Sequence, residues 1–186
     1  MNTDAIVLAV IDFFNEHDVP YMVVGSLATN VYCAPRSTED GDFVVEGDLA
    51  QLARQISRQT AGVRFDPQLA FESVTATRKV VLRTEDHGFE VELFALGDDE
   101  HDQQRFTRRI RVKTFDRSVW IASLEDMVVT KLRWSQHAGR EKDISDARNL
   151  IGVQREHIDW PYVESWCDRH GTRELLERLR QECSDP

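Results

Sequence analysis

Apolar residues at Ile6, Val7, Val10, Ile11 and Phe14 recur at helical spacing and predict a helix over residues 3–17, with Thr3 or Asp4 as its N-cap. After Pro20, the run Tyr21-Met22-Val23-Val24 reads as a short buried strand that ends at Gly25-Ser26, and residues 26–33 read as a short helix. Residues 42–45 predict a second strand, and Asp48 is placed to cap a helix running to Thr60. Two β-rich runs, 75–84 and 88–95, flank Asp86-His87-Gly88, a hairpin signal. Residues 98–106 are polar and helical in pattern. Residues 108–113 alternate basic side chains with Ile110 and Val112, as an exposed strand does, and Val119-Trp120-Ile121 adds a short strand.

From Ser123 onward the period changes to 3.6 and stays there. It predicts helices at 123–136, 141–151, 159–170 and 172–183, and Ser123 with Asp126 resembles a capping box with Asp in place of Glu. Trp134, Trp160, Tyr162 and Trp166 read as packing residues of these helices. The fold class is therefore α/β (α+β): a mixed β-sheet body flanked by helices over residues 1–122, then a C-terminal helical segment over 123–186 packed on it.

Composition narrows the function. The 186 residues are 41% hydrophobic and 30% charged, enough for a real core, and the net charge is −10. That excess argues against general DNA binding or an anionic membrane surface, since phosphate affinity comes largely from cationic contacts. One basic run interrupts it: Arg105, Arg108, Arg109, Arg111, Lys113 and Arg117. It is either a solvated face or a patch for an RNA backbone. The 3 cysteines show no metal-ligand spacing and point to a reducing compartment, and the 6 histidines are scattered and suggest no metal site. The N-terminus carries Asp4 and Asp12 where a signal peptide would be apolar, and no apolar run approaches the ~20 residues of a membrane span. A cytoplasmic protein without a membrane partner is expected.

The chemistry concentrates in Val24-Gly25-Ser26, a spacer over residues 27–39, and Asp40-Gly41-Asp42-Phe43. A glycine at a strand end lets the backbone come close to a ligand. Ser26 lies at a helix N-terminus, where free N–H groups favour a phosphate. Asp40 and Asp42 are two apart, so an extended backbone points both to one face. Their repulsion is relieved by a cation, and Mg2+ takes one or two carboxylates together with substrate phosphate oxygens. Glu90 and Glu92 share a strand face in the same way, opposite Val91 and Leu93. If their strand lies beside the aspartate strand, three carboxylates can hold two metals at the ~4 Å spacing of phosphoryl or nucleotidyl transfer. Asp-Gly-Asp alone would be a turn; the upstream Gly-Ser and the hydrophobic flanks favour a strand.

Gly-Ser, a spacer of this length and Asp-x-Asp resemble the signature of the DNA polymerase β-like nucleotidyltransferase superfamily. The resemblance implies a nucleotidyltransferase palm, with Arg36 and Thr38 as the Arg-x-Thr found before the paired aspartates and Glu92 as the third acidic residue, since Leu93-Phe94 follow it. Gly41 departs from the β-branched or apolar residue usual there, and a glycine weakens a strand locally. Ser123-Leu124-Glu125-Asp126, Lys131 and then Arg140-Glu141-Lys142-Asp143 with Asp146 resemble the downstream motifs of AbiEii-type nucleotidyltransferases, a branch that includes toxins of toxin–antitoxin systems. By that resemblance Lys131 binds the nucleoside triphosphate and Asp143 is a polar catalytic or structural partner.

Together these features imply Mg2+-dependent transfer of a nucleoside monophosphate from an NTP to an acceptor hydroxyl, with pyrophosphate released. Asp40, Asp42 and Glu92 would hold two Mg2+ ions. Gly25 and Ser26 would cradle the triphosphate, and Lys131, Arg36 and Lys142 would neutralise it. The AbiEii-type resemblance implies tRNA as acceptor, a toxin role and a cognate partner protein. The alternatives are a small hydroxyl acceptor of the antibiotic type, and a non-catalytic nucleotide- or partner-binding protein, antitoxin-like, on the same fold.

Overall fold

The computed structural model describes residues 3–71, 77–84, 88–114, 116–138 and 141–184. The chain runs α1 (Thr3–Glu16), β1 (Tyr21–Val24), α2 (Gly25–Tyr32), β2 (Asp40–Val45), α3 (Leu49–Gln59), β3 (Val63–Phe71), β4 (Arg78–Thr84) and β5 (Glu90–Ala95). It continues with α4 (Glu100–Thr107), β6 (Ile110–Thr114), β7 (Arg117–Ile121), α5 (Leu124–Ala138), α6 (Glu141–Gln154), α7 (Trp160–His170) and α8 (Arg173–Glu182). The contacts divide it into two compact units: residues 1–27 with 37–121, and residues 28–36 with 122–186. The division runs through α2.

Among the described residues, the first unit is built on one mixed sheet of seven strands in the order β3-β4-β5-β2-β1-β7-β6. β1 and β2 are antiparallel, while β2 and β5 run parallel and level from Asp40 opposite Glu90 to Val45 opposite Ala95. Strand β2 begins at Asp40, two residues earlier than its hydrophobic run implies, so both aspartates stand on it. The sheet core is apolar: Met22, Val24, Phe43, Val45, Leu82, Val91 and Leu93 are buried. Phe14 from α1 meets Tyr21 and Phe43, with ring centroids 5.1 and 5.7 Å away.

Strand β3 has no counterpart in the sequence reading. Its run carries Arg64, Asp66 and Pro67, which break the hydrophobic pattern, and the register against β4 shifts between Asp66 and Ala70. A proline is tolerated because β3 ends the sheet order and the shift falls where Pro67 lies. The expected hairpin joins β4 and β5, which pair antiparallel; Asp86 and His87 at its turn lie outside the described residues.

The second unit is helical. Ser123 caps α5 through its hydroxyl, which accepts from the Asp126 N–H at 3.3 Å and donates to the Asp126 carboxylate at 2.6 Å. The reciprocal bond of a capping box is thus replaced by a side-chain pair, since an Asp is too short to return to the cap's own N–H. Tyr162 on α7 donates to the other Asp126 oxygen at 2.7 Å. Val128, Leu132, Leu150, Ile151, Val163, Cys167, Leu176 and Leu179 form the core of these helices. Residues 28–36 belong here because Tyr32 donates to the Ala122 carbonyl, Gln154 donates to the Tyr32 carbonyl, and Arg36 is paired with Asp146. Among the described residues, no helix is long and apolar enough to cross a membrane.

Candidate active site

The parallel pairing of β2 with β5 sets Asp40 level with Glu90 and Asp42 level with Glu92. Alternate residues of neighbouring strands share a face, so four carboxylates gather on one patch of the sheet. All four are half-buried, and Gly41, Phe43, Val91 and Leu93 between them are buried on the opposite face.

Asp42 is seated against the end of β1. Gly25 has φ +62°, and a β-carbon there would lie 1.9 Å from Asp42 Oδ2 and 2.9 Å from its Cγ. The glycine is required twice over, by its left-handed backbone and by the carboxylate filling the space a side chain would take. It opens α2, whose next residue, Ser26, is buried. The Asp42 carboxylate therefore sits at the N-terminal end of a helix, where backbone N–H groups and the helix dipole favour negative charge.

Asp40 accepts a hydrogen bond from Thr38 Oγ1 at 2.7 Å. That gives Thr38 of the Arg-x-Thr pair a definite task, orienting the first aspartate. Two cations from β4 complete the patch. Lys79 Nζ donates to Glu92 Oε1 at 2.7 Å, and Arg83 forms an ion pair with Glu90 while its Nε lies 3.4 Å from Asp66 Oδ2.

Gly41 does not interrupt the ladder, which is continuous from Asp40 to Val45. A β-carbon at Gly41 would meet Leu27 Cδ1 at 3.3 Å and Phe89 Cζ and Val7 Cγ2 at 3.4 Å. The glycine is a packing adjustment on the face away from the carboxylates, where Leu27 and Val7 already fill the room of a larger side chain.

The donor set suits a hard divalent cation. Two aspartates and two glutamates lie on adjacent strands beside two cationic side chains, so negative charge remains in excess, and every donor atom is a carboxylate oxygen. Asp40, Asp42 and Glu92 are the residues that would hold it, with one Glu92 oxygen already engaged by Lys79.

Arg36, Lys131, Lys142 and Asp143 belong to the second unit. Lys131 is buried, its ammonium 2.8 Å from Asp143 Oδ1 and 2.9 Å from Asp146 Oδ2. Burial alone would lower its pKa, but the two carboxylates outweigh it and raise the value above the usual lysine range. Arg36 donates from one guanidinium nitrogen to both Asp146 oxygens, at 3.0 and 3.1 Å. Asp143 Oδ2 is buried without a hydrogen-bond partner. Arg36, Lys131, Asp143 and Asp146 form a charge network within the unit, with Asp146 as the acceptor shared by both cations. Lys142 is exposed at the start of α6.

Two groups escaped the sequence reading. Lys79 and Arg83 gave no signal, because the hairpin places β4 beside β5 but their meaning depends on the β4–β5 register and on β5 lying beside the aspartate strand. The second is Asp99, His101 and Asp102, whose ligand atoms lie within 4.8 Å of one another in an arrangement that could hold a metal. The scattered histidines concealed it, although Asp-x-His-Asp was a legible local signal. Asp99 caps α4, with its Oδ1 accepting from the N–H groups of His101 and Asp102, and Asp102 is paired with Arg105 at 2.9 Å.

No protein-family profile matches the sequence, and no curated protein matches it. Solved structures do. The antibiotic-resistance factor ANT(2'')-Ia gives a TM-score of 0.66 over 96% of this chain and 96% of its own, at 13% identity. A nucleotidyltransferase-like protein from Paracoccidioides brasiliensis gives 0.56 over 95% and 89%, at 18% identity. The lincosamide antibiotic adenylyltransferase LnuA, with lincomycin bound, gives 0.52 over 80% and 96%, at 15% identity. At these identities the likeness is one of architecture. The chain has the nucleotidyltransferase fold.

Proposed function

We propose that this protein is a Mg2+-dependent nucleotidyltransferase that moves a nucleoside monophosphate from an NTP to the hydroxyl of a small acceptor. The observation that carries the reading is the level pairing of Asp40 and Asp42 with Glu90 and Glu92, with Asp42 seated against Gly25 at the head of α2.

The Gly25–Ser26 turn presents the first N–H groups of α2 to the triphosphate. Asp40, oriented by Thr38, Asp42 and Glu92 would hold Mg2+, which when bound would supply charge neutralisation on the triphosphate and acidify the acceptor hydroxyl. Glu92, level with Asp42 on the neighbouring strand, is the carboxylate placed to take the hydroxyl proton. The acceptor oxygen bonds to the α-phosphorus, the bond from that phosphorus to the α–β bridging oxygen breaks, and pyrophosphate leaves with the electron pair. Positioning and electrostatic stabilisation supply most of the rate enhancement.

Two observations favour a small acceptor over RNA. One similar protein, ANT(2'')-Ia, has been determined with adenylyl-2''-tobramycin, and another is a lincosamide adenylyltransferase. Much of the basic run is also engaged inside its own unit. Arg105 is buried beside Asp102, Arg109 lies over Phe106 and Trp120 at 4.3 and 5.0 Å, and Arg117 binds Asp12 through two hydrogen bonds of 2.6 and 2.8 Å. Gly41 fits the β2 ladder without disturbing the aspartates, which supports a catalytic protein over a binding module.

The test is incubation with each α-labelled NTP and Mg2+, against a panel of aminoglycoside and lincosamide hydroxyl compounds and against total tRNA. Label on a small compound is the expected result. Label in tRNA would support the toxin-type reading suggested by the Lys131 and Arg140–Asp146 motifs, and nucleotide binding without turnover would support the binding module.

A further inference from the structure

The four carboxylates of the patch are level in pairs but not equivalent in surroundings. On β2, Asp40 takes a neutral hydroxyl from Thr38 and Asp42 lies against the backbone of Gly25. On β5, each glutamate has a cation from β4. Arg83 serves Glu90 and has Asp66 as a further partner. Lys79 serves Glu92, with side chains 23% and 20% exposed, and its ammonium lies 5.5 Å from the centre of the Phe94 ring.

The two pairs differ in chemistry. Arg83 is spread between two carboxylates, presents a planar fork and is the more exposed partner, at 53% against 23% for Lys79. Lys79 is a compact point charge on a flexible four-carbon stem, paired with the glutamate of the site itself. Glu92 is also the glutamate level with Asp42, the aspartate at the head of α2.

We propose that Lys79 is a positioning residue that occupies Glu92 in the resting protein, so that a divalent cation held at Asp40, Asp42 and Glu92 competes with the Lys79 ammonium for Glu92. This rests on the metal-site reading above and deepens it. Lys79 relieves repulsion among the carboxylates before the cation arrives, and it competes with the cation for one of them.

Calorimetric titration of the full chain with Mn2+ alone, without nucleotide, tests this. Lys79→Met removes the competitor and should bind Mn2+ about fivefold more tightly than wild type, the scale of a partly exposed ion pair. Lys79→Gln, which keeps a hydrogen-bond donor but no charge, should tighten binding in the same direction, and Lys79→Arg should stay close to wild type. Circular dichroism confirms that each variant is folded, and Lys79→Gln stands in if Lys79→Met is not. Mn2+ affinity in Lys79→Met and Lys79→Gln equal to or weaker than wild type, with Asp40→Asn still abolishing binding, would overturn the role of Lys79 and leave the metal site standing. Binding indifferent to Asp40→Asn, or no binding in any variant, would overturn the metal site and this inference with it.

Discussion

A β-carbon on Gly25 would lie 1.9 Å from Asp42 Oδ2, so the Asp42 carboxylate occupies the space that this glycine's missing side chain leaves. The Gly-Ser turn and the Asp-x-Asp strand are one packing unit, and neither can change without the other.

Gly25→Ala should therefore damage the site more than the fold. Holding an alanine at φ +62° costs about 1–2 kcal/mol. The displaced Asp42 carboxylate should cut NTP turnover by about 100-fold, the scale of an ångström misplacement at a reacting centre. Thermal melting and a pyrophosphate-release assay on the same preparation separate the two effects. Turnover within twofold of wild type would show that the seat of Asp42 does not matter to the chemistry.

Gly41 gives the opposite expectation. Its β-carbon position is ringed by Leu27, Phe89 and Val7 at 3.3–3.4 Å, so Gly41→Val should destabilise by about 1–3 kcal/mol through overpacking. Gly41→Ala, smaller and without β-branching, should cost less. Urea denaturation midpoints check both, and a stabilising Gly41→Val would mean that the neighbours yield more easily than their packing implies.

In the helical unit, Asp146 is the shared acceptor of Lys131 and Arg36. Asp146→Ala leaves a buried ammonium with one carboxylate fewer and should cost about 3–5 kcal/mol. Glu177→Ala, which opens exposed pairs with Arg173 and Arg180, should cost no more than about 1 kcal/mol. The pH dependence has a definite sign. The Lys131 pKa is higher folded than unfolded, where it is near 10.5. Its stabilising contribution is therefore complete below that pH and is lost as pH rises through the folded value. Wild type should lose stability between pH 10 and higher alkali more steeply than Asp146→Ala does, which urea melts across that range would show.

Much of this architecture is legible along the chain because the relevant signals are local. Tyr21–Val24 followed by Gly-Ser announces β1 and the turn into α2, and the 3.6 periodicity after Ser123 announces the helices. The neighbours of each strand are not local. The alternation of Glu90 and Glu92 tells which face they share, but the parallel register that sets Glu92 beside Asp42 comes from β2–β5 pairing. For the same reason Lys79 and Arg83 look like ordinary surface residues until the β4–β5 register and the β2–β5 pairing are known. Pro67 hides β3, because a proline counts against a strand everywhere except at an edge or an irregularity. The basic run likewise needs its partners to be placed: its spacing leaves open a solvated face or an RNA-contacting patch, and the structure pairs Arg105 with Asp102, Arg109 with aromatic rings and Arg117 with Asp12.

If the paired aspartates of β2 carry nucleotidyl transfer, they govern pyrophosphate release from NTP in the presence of Mg2+ and a hydroxyl acceptor. Asp40→Asn combined with Asp42→Asn keeps the shape of both side chains and removes their charge, and should lower the rate by about 1,000-fold or more with the fold intact by circular dichroism. Release at the wild-type rate in that double variant would contradict the assignment of this patch as the active site.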